Sequence, residues 1–324
     1  MSGAAASERK TVTIVVPVFN EERNLAALLS RLAGALASEP ERFRFLFVND
    51  GSRDGTWATL RRFAQAEERL EAISLSRNFG KEAAIAAGLA CAEGDALVLM
   101  DADLQHPPEA IPQFLKAWRA GAAVVFGLRQ DRIGESRSRT GLSKLFYQLF
   151  KRVSDLKIPE GATDFLLLDR KAADAMNRLG ERNRFSKGLF SWIGFPSAEV
   201  TFSVGARHEG VSRWRMLKLG TYAIDAFSSF SSLPLKMWSY VGMLISAGAM
   251  LYALYVLAET LIFGADVPGF PSLIVSIMFF SGVQLISLGV MGEYLARLFL
   301  EVKQRPLYIV ADEIGRAPAA RAQG

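Results

Sequence analysis

Asp101 and Asp103, two aspartates separated by one residue, are the side chains whose type and spacing most clearly indicate chemistry. They follow the apolar run ALVLM, so a buried strand would present both carboxylates at its end. Carboxylate oxygens are hard ligands that suit Mg²⁺ or Mn²⁺, and Gln105 adds a neutral oxygen nearby. A cation held in this way can bridge a pyrophosphate. The motif therefore predicts a divalent metal site.

Polar residues also follow two earlier apolar runs. Asp50 comes after the run FRFLFV, and Asn20 and Glu21 come after the run that contains Pro17. Turn formation and helix capping account for part of this pattern, because Asp, Asn and Ser readily do both. Three polar sites at three strand ends favour one shared nucleotide pocket over three independent turns. In that pocket we expect Asp50 to accept a hydrogen bond from the base N–H of uracil.

These sites need strands that end at one edge of a sheet, and the sequence pattern predicts such a sheet. Apolar runs alternate with segments of helical spacing, and Asn20 is expected to cap the first helix. Alternating strands and helices form a parallel α/β sheet that binds ligands at the carboxyl ends of its strands. The predicted strands are Thr11–Val18, Phe43–Val48, Ile73–Leu75, Ala96–Met100 and Ala122–Gly127, and the predicted helices are Asn24–Leu36, one from Thr56, Glu82–Ala92 and Pro108–Ala120.

The last third of the chain has a different composition. Between Lys236 and Glu259 lie 22 residues without a charged side chain, and between Asp266 and Glu293 lie 26. Both runs exceed the roughly 20 residues that a helix needs to cross a bilayer. A pair of buried core helices is the alternative. The linker between the runs lacks Lys and Arg. The positive-inside rule therefore predicts an integral protein of the inner (cytoplasmic) membrane with both termini in the cytoplasm.

Two further stretches have the pattern of helices at a membrane surface. In Thr140–Val153 an apolar stripe with two phenylalanines lies opposite cationic residues, which is typical of an interfacial helix. An ordinary helix that packs on its own domain has the same pattern. The segment Trp214–Leu233 leads directly into the first uncharged run, so it must approach the bilayer.

Composition and charge narrow the class of partner. The net charge is +5 and the isoelectric point is near 9.3, which favours anionic ligands or an anionic bilayer surface. The basic residues are interspersed with acids and no nucleic-acid motif is present, so a nucleic-acid partner is not expected. Cys91 is the single cysteine, which excludes an internal disulfide and fits a reducing compartment. The N-terminus has no apolar region typical of a signal peptide.

Seven motifs, in order and followed by the two apolar runs, resemble family 2 polyprenyl-phosphate glycosyltransferases. The motifs are VVPVFNEERNL, VNDGSRDGT, SRNFGKEAAIAAGL, MDADLQHPPE, GLR, TDFLLLDR and EGVSRW. The group includes bacterial bactoprenol glucosyltransferases and dolichol-phosphate mannose synthases and has the GT-A fold. The resemblance covers residues 11–310. It implies inverting transfer of a sugar from a nucleotide donor, UDP-glucose or a similar compound, to undecaprenyl phosphate or a related polyprenyl phosphate.

The resemblance also implies roles for individual residues. The nucleotide-binding residues would be Pro17, Glu21, Asp50, Lys81 and Asp101, and the metal ligands would be Asp101, Asp103 and Gln105. The residues that hold the acceptor phosphate would be Arg129, Arg139, Ser143, Arg207 and Arg213. Arginine suits this role because its guanidinium contacts phosphate through two donors.

Asp164, in the motif TDFLLLDR, matches the position of the proposed catalytic aspartate, with Asp103 as the second catalytic residue. A hydroxyl acceptor needs a general base, whereas a phosphate monoester is already anionic at neutral pH. Asp164 therefore has three readings: a base, a group that orients substrate, or a cap for the following segment. His106 is interpreted as a loop residue beside the metal site.

Two alternative functions follow from the same residues. One is a membrane transferase of family 2 with a hydroxyl acceptor, and the other is a non-catalytic membrane scaffold with the GT-A fold. Similar proteins form tetramers, so a homo-oligomer is compatible with the resemblance. The expected organisation is a disordered N-terminus at residues 1–10, a GT-A domain at 11–213, a juxtamembrane segment at 214–235, two transmembrane helices at 236–300 and a cytoplasmic tail at 301–324.

Overall fold

The computed structural model describes residues 9–130, 159, 161–182, 184–203 and 269–315, with scattered residues between 242 and 262. The chain divides into two compact units. The larger unit contains every strand of the described residues, and the smaller unit contains the long apolar helix near the C-terminus.

One eight-stranded sheet forms the centre of the larger unit, in the order β7-β5-β6-β4-β1-β2-β3-β8. Parallel pairing joins β1 to β2 and β4, β2 to β3, and β5 to β7, while β6 and β8 run antiparallel to their neighbours. The sheet is therefore mostly parallel, as the sequence predicts. The strands are β1 Thr11–Val18, β2 Arg42–Asn49, β3 Leu70–Leu75, β4 Ala96–Leu99, β5 Val124–Arg129, β6 Ala162–Asp169, β7 Ser197–Phe202 and β8 Val310–Ile314.

Helices connect most of these strands. They bury apolar residues at helical spacing, as Leu25, Leu28 and Leu32 do in the first one. Close contact between the third helix and the sheet depends on Gly88, where a Cβ would overlap the side chain of Val15. The helices are α1 Leu25–Leu36, α2 Thr56–Ala66, α3 Lys81–Cys91, α4 Ile111–Arg119, α5 Arg170–Arg178, α6 Ser186–Trp192 and α7 Phe270–Val302, with a 3₁₀ turn at Pro108–Ala110 before α4.

Most predicted elements of the first 130 residues are confirmed, and β1 has the predicted bounds. The predicted cap at Asn20 is wrong. Asn20 has a φ of +57°, and its side-chain oxygen accepts a hydrogen bond from the amide of Arg53 at 2.8 Å. Helix α1 begins later in the chain, after Asn24. The side chain of Asn20 therefore joins two loops instead of capping a helix.

The sheet also contains strands that the helical and apolar pattern did not predict. β6 inserts antiparallel between β4 and β5, which places Asp164 at the same edge of the sheet as the end of β4. β8 pairs with β3, so residues 310–314 belong to the sheet and not to a separate tail.

The C-terminal apolar region is described in part. Within the described residues, one helix is long and apolar enough to cross a membrane, over Phe279–Val302, with a mean hydropathy of 1.3. This criterion uses length and composition only, and the second predicted transmembrane helix is not confirmed. Thr140–Val153 and Trp214–Leu233 lie outside the described residues.

Candidate active site

Two neighbouring features occupy the carboxyl-end edge of the sheet. One is a cavity between the loops that follow β1, β2 and β3, and the other is a cluster of carboxylates and lysines at the ends of β4 and β6. The loop at residues 76–80 connects them, because Arg77 and Asn78 line the cavity and Lys81 belongs to the cluster. The features together therefore form one candidate site.

The cavity has a volume of about 710 Å³. Small-molecule sites in proteins commonly have volumes of about 300–1,000 Å³. The lining combines aromatic rings, amides, hydroxyls and two arginines, a mixture that suits a base, a ribose and a phosphate. It is formed by Phe19, Asn20, Asn49, Gly51, Ser52, Arg53, Trp57, Ser74, Leu75, Ser76, Arg77 and Asn78.

Hydrogen bonds between the first two loops give the cavity its shape. The amide of Asn20 donates to Ser52 Oγ at 2.9 Å, and the amide of Glu21 donates to Thr56 Oγ1 at 3.0 Å. Glu21 Oε2 also accepts from Asn24 Nδ2 at 2.6 Å. Pro17 lies one residue before the end of β1, directly below these loops. The loops after β1 and β2 thus contact each other, and Asn20 and Ser52 line the cavity. Pro17, Glu21 and Asp50 are not among the lining residues, and their contact with a nucleotide stays a prediction.

Asp50 is buried beneath the cavity and organises the third loop. Its two carboxylate oxygens accept hydrogen bonds from the amides of Phe79 at 2.7 Å and Gly80 at 3.0 Å. Burial raises the pKa of Asp50, against the lowering effect of these two hydrogen bonds. The structure thus shows Asp50 bound to protein backbone, and its contact with a base stays a prediction.

Gly51 allows the second and third loops to approach closely. Its φ is +64°, and a Cβ at this position would lie 2.5 Å from the amide nitrogen of Asn78. An L side chain would therefore be strained in the backbone and would also overlap the next loop. This glycine sets the distance between the loop after β2 and the loop that carries Arg77.

Lys81, the first residue of α3, joins the carboxylates of the cluster. Its Nζ lies 2.7 Å from Asp101 Oδ1 and 2.7 Å from Asp164 Oδ2. Burial lowers the pKa of Lys81, but the two carboxylates outweigh this effect and the net pKa is raised. Lys81 therefore stays a cation, fixed between two carboxylates.

Asp164 lies between two ammonium groups. Besides Lys81, its partner is Lys187 of α6, whose Nζ is 3.7 Å from Asp164 Oδ1. Burial raises the pKa of Asp164, but Lys187 and Lys81 together outweigh this effect and leave it below its ordinary value. A carboxylate with a lowered pKa is a weak base. The structure thus holds Asp164 as a carboxylate between two ammonium groups, and its role in a reaction stays a prediction.

Lys187 was not predicted as a site residue, because no sequence motif marks it. Its placement depends on a contact between two helices. The side chain of Glu82 on α3 accepts hydrogen bonds from the Ser186 hydroxyl and, at 3.2 Å, from the Ser186 amide. These bonds hold the start of α6 beside α3, and so bring Lys187 close to Asp164.

His106 is a loop residue, as the sequence predicts, but it is buried and contacts the loop of Asp101 and Asp103. The ring is buried and stacks on Phe165 with centroids 5.1 Å apart. Its Nδ1 accepts a hydrogen bond from the Asp101 amide at 3.0 Å, and burial lowers the pKa of the imidazole. The neutral ring therefore carries its proton on Nε2. In the sequence, this contact is indicated only by the position of His106 shortly after Asp101.

The loop of Asp101 and Asp103 suits a divalent cation that also binds a diphosphate. Asp103 Oδ1 accepts from the amide of Gln105 at 3.2 Å, and Leu104 between them has a φ of +61° with its side chain buried. No group of three or more His, Cys, Asp or Glu side chains arranged for a metal occurs among the described residues. Two carboxylates fit Mg²⁺, which is commonly held by one or two of them together with substrate phosphates.

The predicted acceptor residues are only partly described. Arg129 ends β5, and its amide donates to the carbonyl of Gly161 at 3.1 Å, close to the start of β6. Arg139, Ser143, Arg207 and Arg213 lie outside the described residues, as does the predicted interfacial helix. Their role in holding a phosphate stays a prediction.

Comparisons with known proteins find close relatives over nearly the whole chain. The model of "Glycosyl transferase family 2" matches residues 13–176. A glycosyltransferase of Synechocystis without a characterised activity is 44% identical over 93% of this chain and 95% of its own. The prophage SfII bactoprenol glucosyl transferase of Shigella flexneri is 40% identical over 92% of this chain and 97% of its own.

Solved structures are more distant in sequence. The mannosyltransferase PcManGT of Pyrobaculum calidifontis, in complex with GDP-Man and Mn²⁺, is 17% identical and has a TM-score of 0.48, covering 92% of this chain and 87% of that one. Glucosyl-3-phosphoglycerate synthase of Mycobacterium tuberculosis is 19% identical with a TM-score of 0.45, covering 68% of this chain and 79% of that one.

Proposed function

This chain belongs to glycosyl transferase family 2 and is a glycosyltransferase, and we propose that it transfers a sugar from a nucleotide donor to polyprenyl phosphate. One observation carries the proposal: a cavity of nucleotide size lies next to Lys81, Asp101 and Asp164 at one edge of the sheet. The bactoprenol glucosyl transferases that match almost end to end support the choice of a lipid phosphate as acceptor.

We propose that the cavity binds the nucleoside and that the cluster binds the diphosphate and the sugar. Phe19 and Trp57 offer aromatic faces for the base, and Ser52, Asn49 and Arg77 offer polar groups for the ribose and phosphate. A glucosyl donor is favoured by the same relatives, which makes UDP-glucose the first donor to test.

A divalent metal at Asp101 and Asp103, with Gln105 nearby, would neutralise the diphosphate as it departs. The residues of the chain contribute independently of that ion. The Lys81 ammonium, fixed between two carboxylates, stabilises negative charge on the leaving group. The carboxylate loop is held by the hydrogen bond from the Asp101 amide to His106, so its geometry exists before substrate arrives.

The proposed reaction is a direct displacement with inversion. An oxygen of the lipid phosphate forms a bond to C1 of the sugar, while the bond from C1 to the diphosphate oxygen breaks and its electron pair leaves with the nucleoside diphosphate. No proton has to be removed from a phosphate dianion. Asp164, which Lys81 and Lys187 keep ionised, orients the cationic side chains around the sugar. Arg129, Arg139, Ser143, Arg207 and Arg213 are the proposed contacts to the acceptor phosphate.

The proposed acceptor is a membrane lipid, so we expect the protein to be anchored in a bilayer. Helix α7 is long and apolar enough to cross a bilayer. We propose that the protein is integral to the cytoplasmic membrane through two helices, with the catalytic unit and both termini in the cytoplasm. The support for this topology is the pair of uncharged runs and the lack of Lys and Arg between them.

The experiment that tests the function is transfer of labelled glucose from UDP-glucose to undecaprenyl phosphate by the full chain in detergent. We expect a lipid-linked product that Asp103→Ala reduces on the order of 100-fold and that EDTA abolishes until Mg²⁺ or Mn²⁺ is added. Asp174→Ala, on the exposed side of α5, is the matched control and should transfer normally.

Three results would contradict parts of the proposal. Near-normal transfer by Asp103→Ala would show that the loop of Asp101 and Asp103 has no part in the mechanism. Transfer to a hydroxyl acceptor with no lipid phosphate product would favour the other membrane transferases of the family. A wild-type protein that turns over none of the common nucleotide sugars would favour a scaffold that keeps the fold.

A further inference from the structure

We infer that Asp312 is a positioning residue for the nucleotide cavity, although it lies on the strand that follows the apolar helix. The inference rests on the proposed use of that cavity by the donor nucleotide. Asp312 belongs to β8, 255 residues after the cavity residue that it contacts. It does not line the cavity itself.

The contact that carries the inference is a hydrogen bond to an aromatic wall of the cavity. Asp312 Oδ2 accepts from the indole Nε1–H of Trp57 at 3.2 Å. The same oxygen accepts from Arg61 Nη2 at 2.7 Å, and the Arg61 guanidinium lies 6.0 Å from the centre of the Trp57 ring. Asp312 and Arg61 therefore both contact the indole, and Trp57 is one of the residues that line the cavity.

β8 also fixes the cavity wall that β3 provides. Asp312 pairs with Ser74 in the antiparallel ladder, and Ser74 lines the cavity and accepts a hydrogen bond from Asn49 at 2.8 Å. Beyond the end of β3, the amide of Ser76 donates to the carbonyl of Ile309 at 2.9 Å. Pairing along β8 thus sets the positions of both the strand end and the indole.

Exposure indicates which property Asp312 controls. The side chains of Arg61 and Asp312 are 57% and 47% exposed, and exposed ion pairs contribute little to folding stability. A rotated indole, in contrast, would change the surface that a base contacts. We therefore expect loss of Asp312 to weaken nucleotide binding more than it lowers the unfolding temperature.

The test measures the dissociation constants of UDP and GDP by calorimetry on the full chain in detergent. Asp312→Ala should raise the dissociation constant of the preferred nucleotide roughly three- to tenfold, the effect of one hydrogen bond. Asp312→Asn keeps an acceptor for the indole and should stay within about twofold. Glu313→Gln removes a charge from the opposite face of the same strand and is the matched control.

A double variant separates positioning from a general effect on β8. Trp57→Phe keeps a ring but lacks the N–H donor, so it should weaken binding by itself. If Asp312 acts through the indole, adding Asp312→Ala to Trp57→Phe should cause little further loss. Thermal unfolding of each variant checks that the sheet is intact.

These measurements distinguish failure of the inference about Asp312 from failure of the proposed function. A wild-type protein that binds neither nucleotide would overturn the proposed function and this inference with it. Normal binding by wild type, together with unchanged binding by Asp312→Ala, would overturn the inference alone. Equal losses in Asp312→Ala and Glu313→Gln, or fully additive losses in the double variant, would show that the indole does not transmit the effect.

Discussion

Replacement of Asp164 by asparagine tests whether this carboxylate is a base or a positioning group. The substitution keeps the size of the side chain and removes its charge. In the wild-type structure one carboxylate oxygen is 2.7 Å from Lys81 Nζ and the other is 3.7 Å from Lys187 Nζ. The amide of the Asp164→Asn variant would retain an oxygen for one lysine and would leave both ammonium groups without their shared counter-charge.

The expected loss follows from the contact that is weakened. A hydrogen bond to a charged group contributes about 1.5–3 kcal/mol. The Lys81 side chain is 44% exposed, so solvent screening argues for the lower end of that range. About 1.5 kcal/mol corresponds to roughly a tenfold fall in kcat/KM. Loss of a true general base would cost more, about 10²–10⁴-fold.

The pH dependence gives the sharper distinction. Because its pKa is lowered, Asp164 is ionised throughout the range above its ordinary value of about 4. Its titration therefore cannot produce a change in rate between about pH 5 and about pH 9. The acceptor phosphate, with a second pKa of about 6, should produce one rising limb in the plot of kcat/KM against pH. We expect that limb in the wild type and in Asp164→Asn alike, with the variant lower by a constant factor.

The assay is kcat/KM for sugar transfer to the lipid phosphate across this pH range, with Asp174→Asn as a control on a remote, exposed carboxylate. A rising limb that is present in the wild type and disappears in Asp164→Asn would refute the reasoning, since it would identify Asp164 as a titrating base. A loss far above tenfold that is confined to kcat would point the same way.

Two further predictions concern the loops of the site. Gly51→Ala should lower the unfolding temperature and weaken binding of the donor nucleotide, because its positive φ and the approach of Asn78 leave no room for a Cβ. Calorimetry and thermal unfolding measure the two effects, and a variant with normal values of both would show that the loops move apart without cost. His106→Phe keeps a ring beside Phe165 but leaves the Asp101 amide without its acceptor. We expect a loss of about 1–3 kcal/mol in stability, measured by denaturant unfolding in detergent, and unchanged stability would show that another group replaces the imidazole.

The sequence allowed accurate prediction of the part of the fold that local pattern controls. The apolar run of β1 and the leucines of α1 have the spacing that their environments require, and the structure confirms both. The polar residues at the strand ends meet for the same reason, because parallel strands bring their carboxyl ends to one edge. Asp50 shows the limit of that reasoning, because the residues around it in the sequence do not reveal its hydrogen bonds to Phe79 and Gly80 on the next loop.

The features that escaped prediction depend on contacts between distant segments. The antiparallel insertion of β6 is set by its register with β4, which lies far from it along the chain, and no local period encodes such pairing. Lys187 lies near Asp164 on a helix whose start is bonded to Glu82 through Ser186, a contact across 104 residues. Asparagine is common at helix caps, which is why the sequence predicts a cap at Asn20. Asparagine also adopts positive φ more readily than most residues, and Asn20 has a positive φ in its loop.

The return of the chain to the sheet at β8 has a consequence for counting membrane crossings. Strands β1–β7 precede helix α7 and β8 follows it, yet all eight belong to one sheet. A single sheet lies on one side of a bilayer, so any crossings of a bilayer between Phe202 and Val310 must be even in number. If α7 is one crossing, an odd number of others must come before it. The β3–β8 ladder therefore predicts that a crossing by α7 is accompanied by at least one other crossing between Phe202 and Phe270.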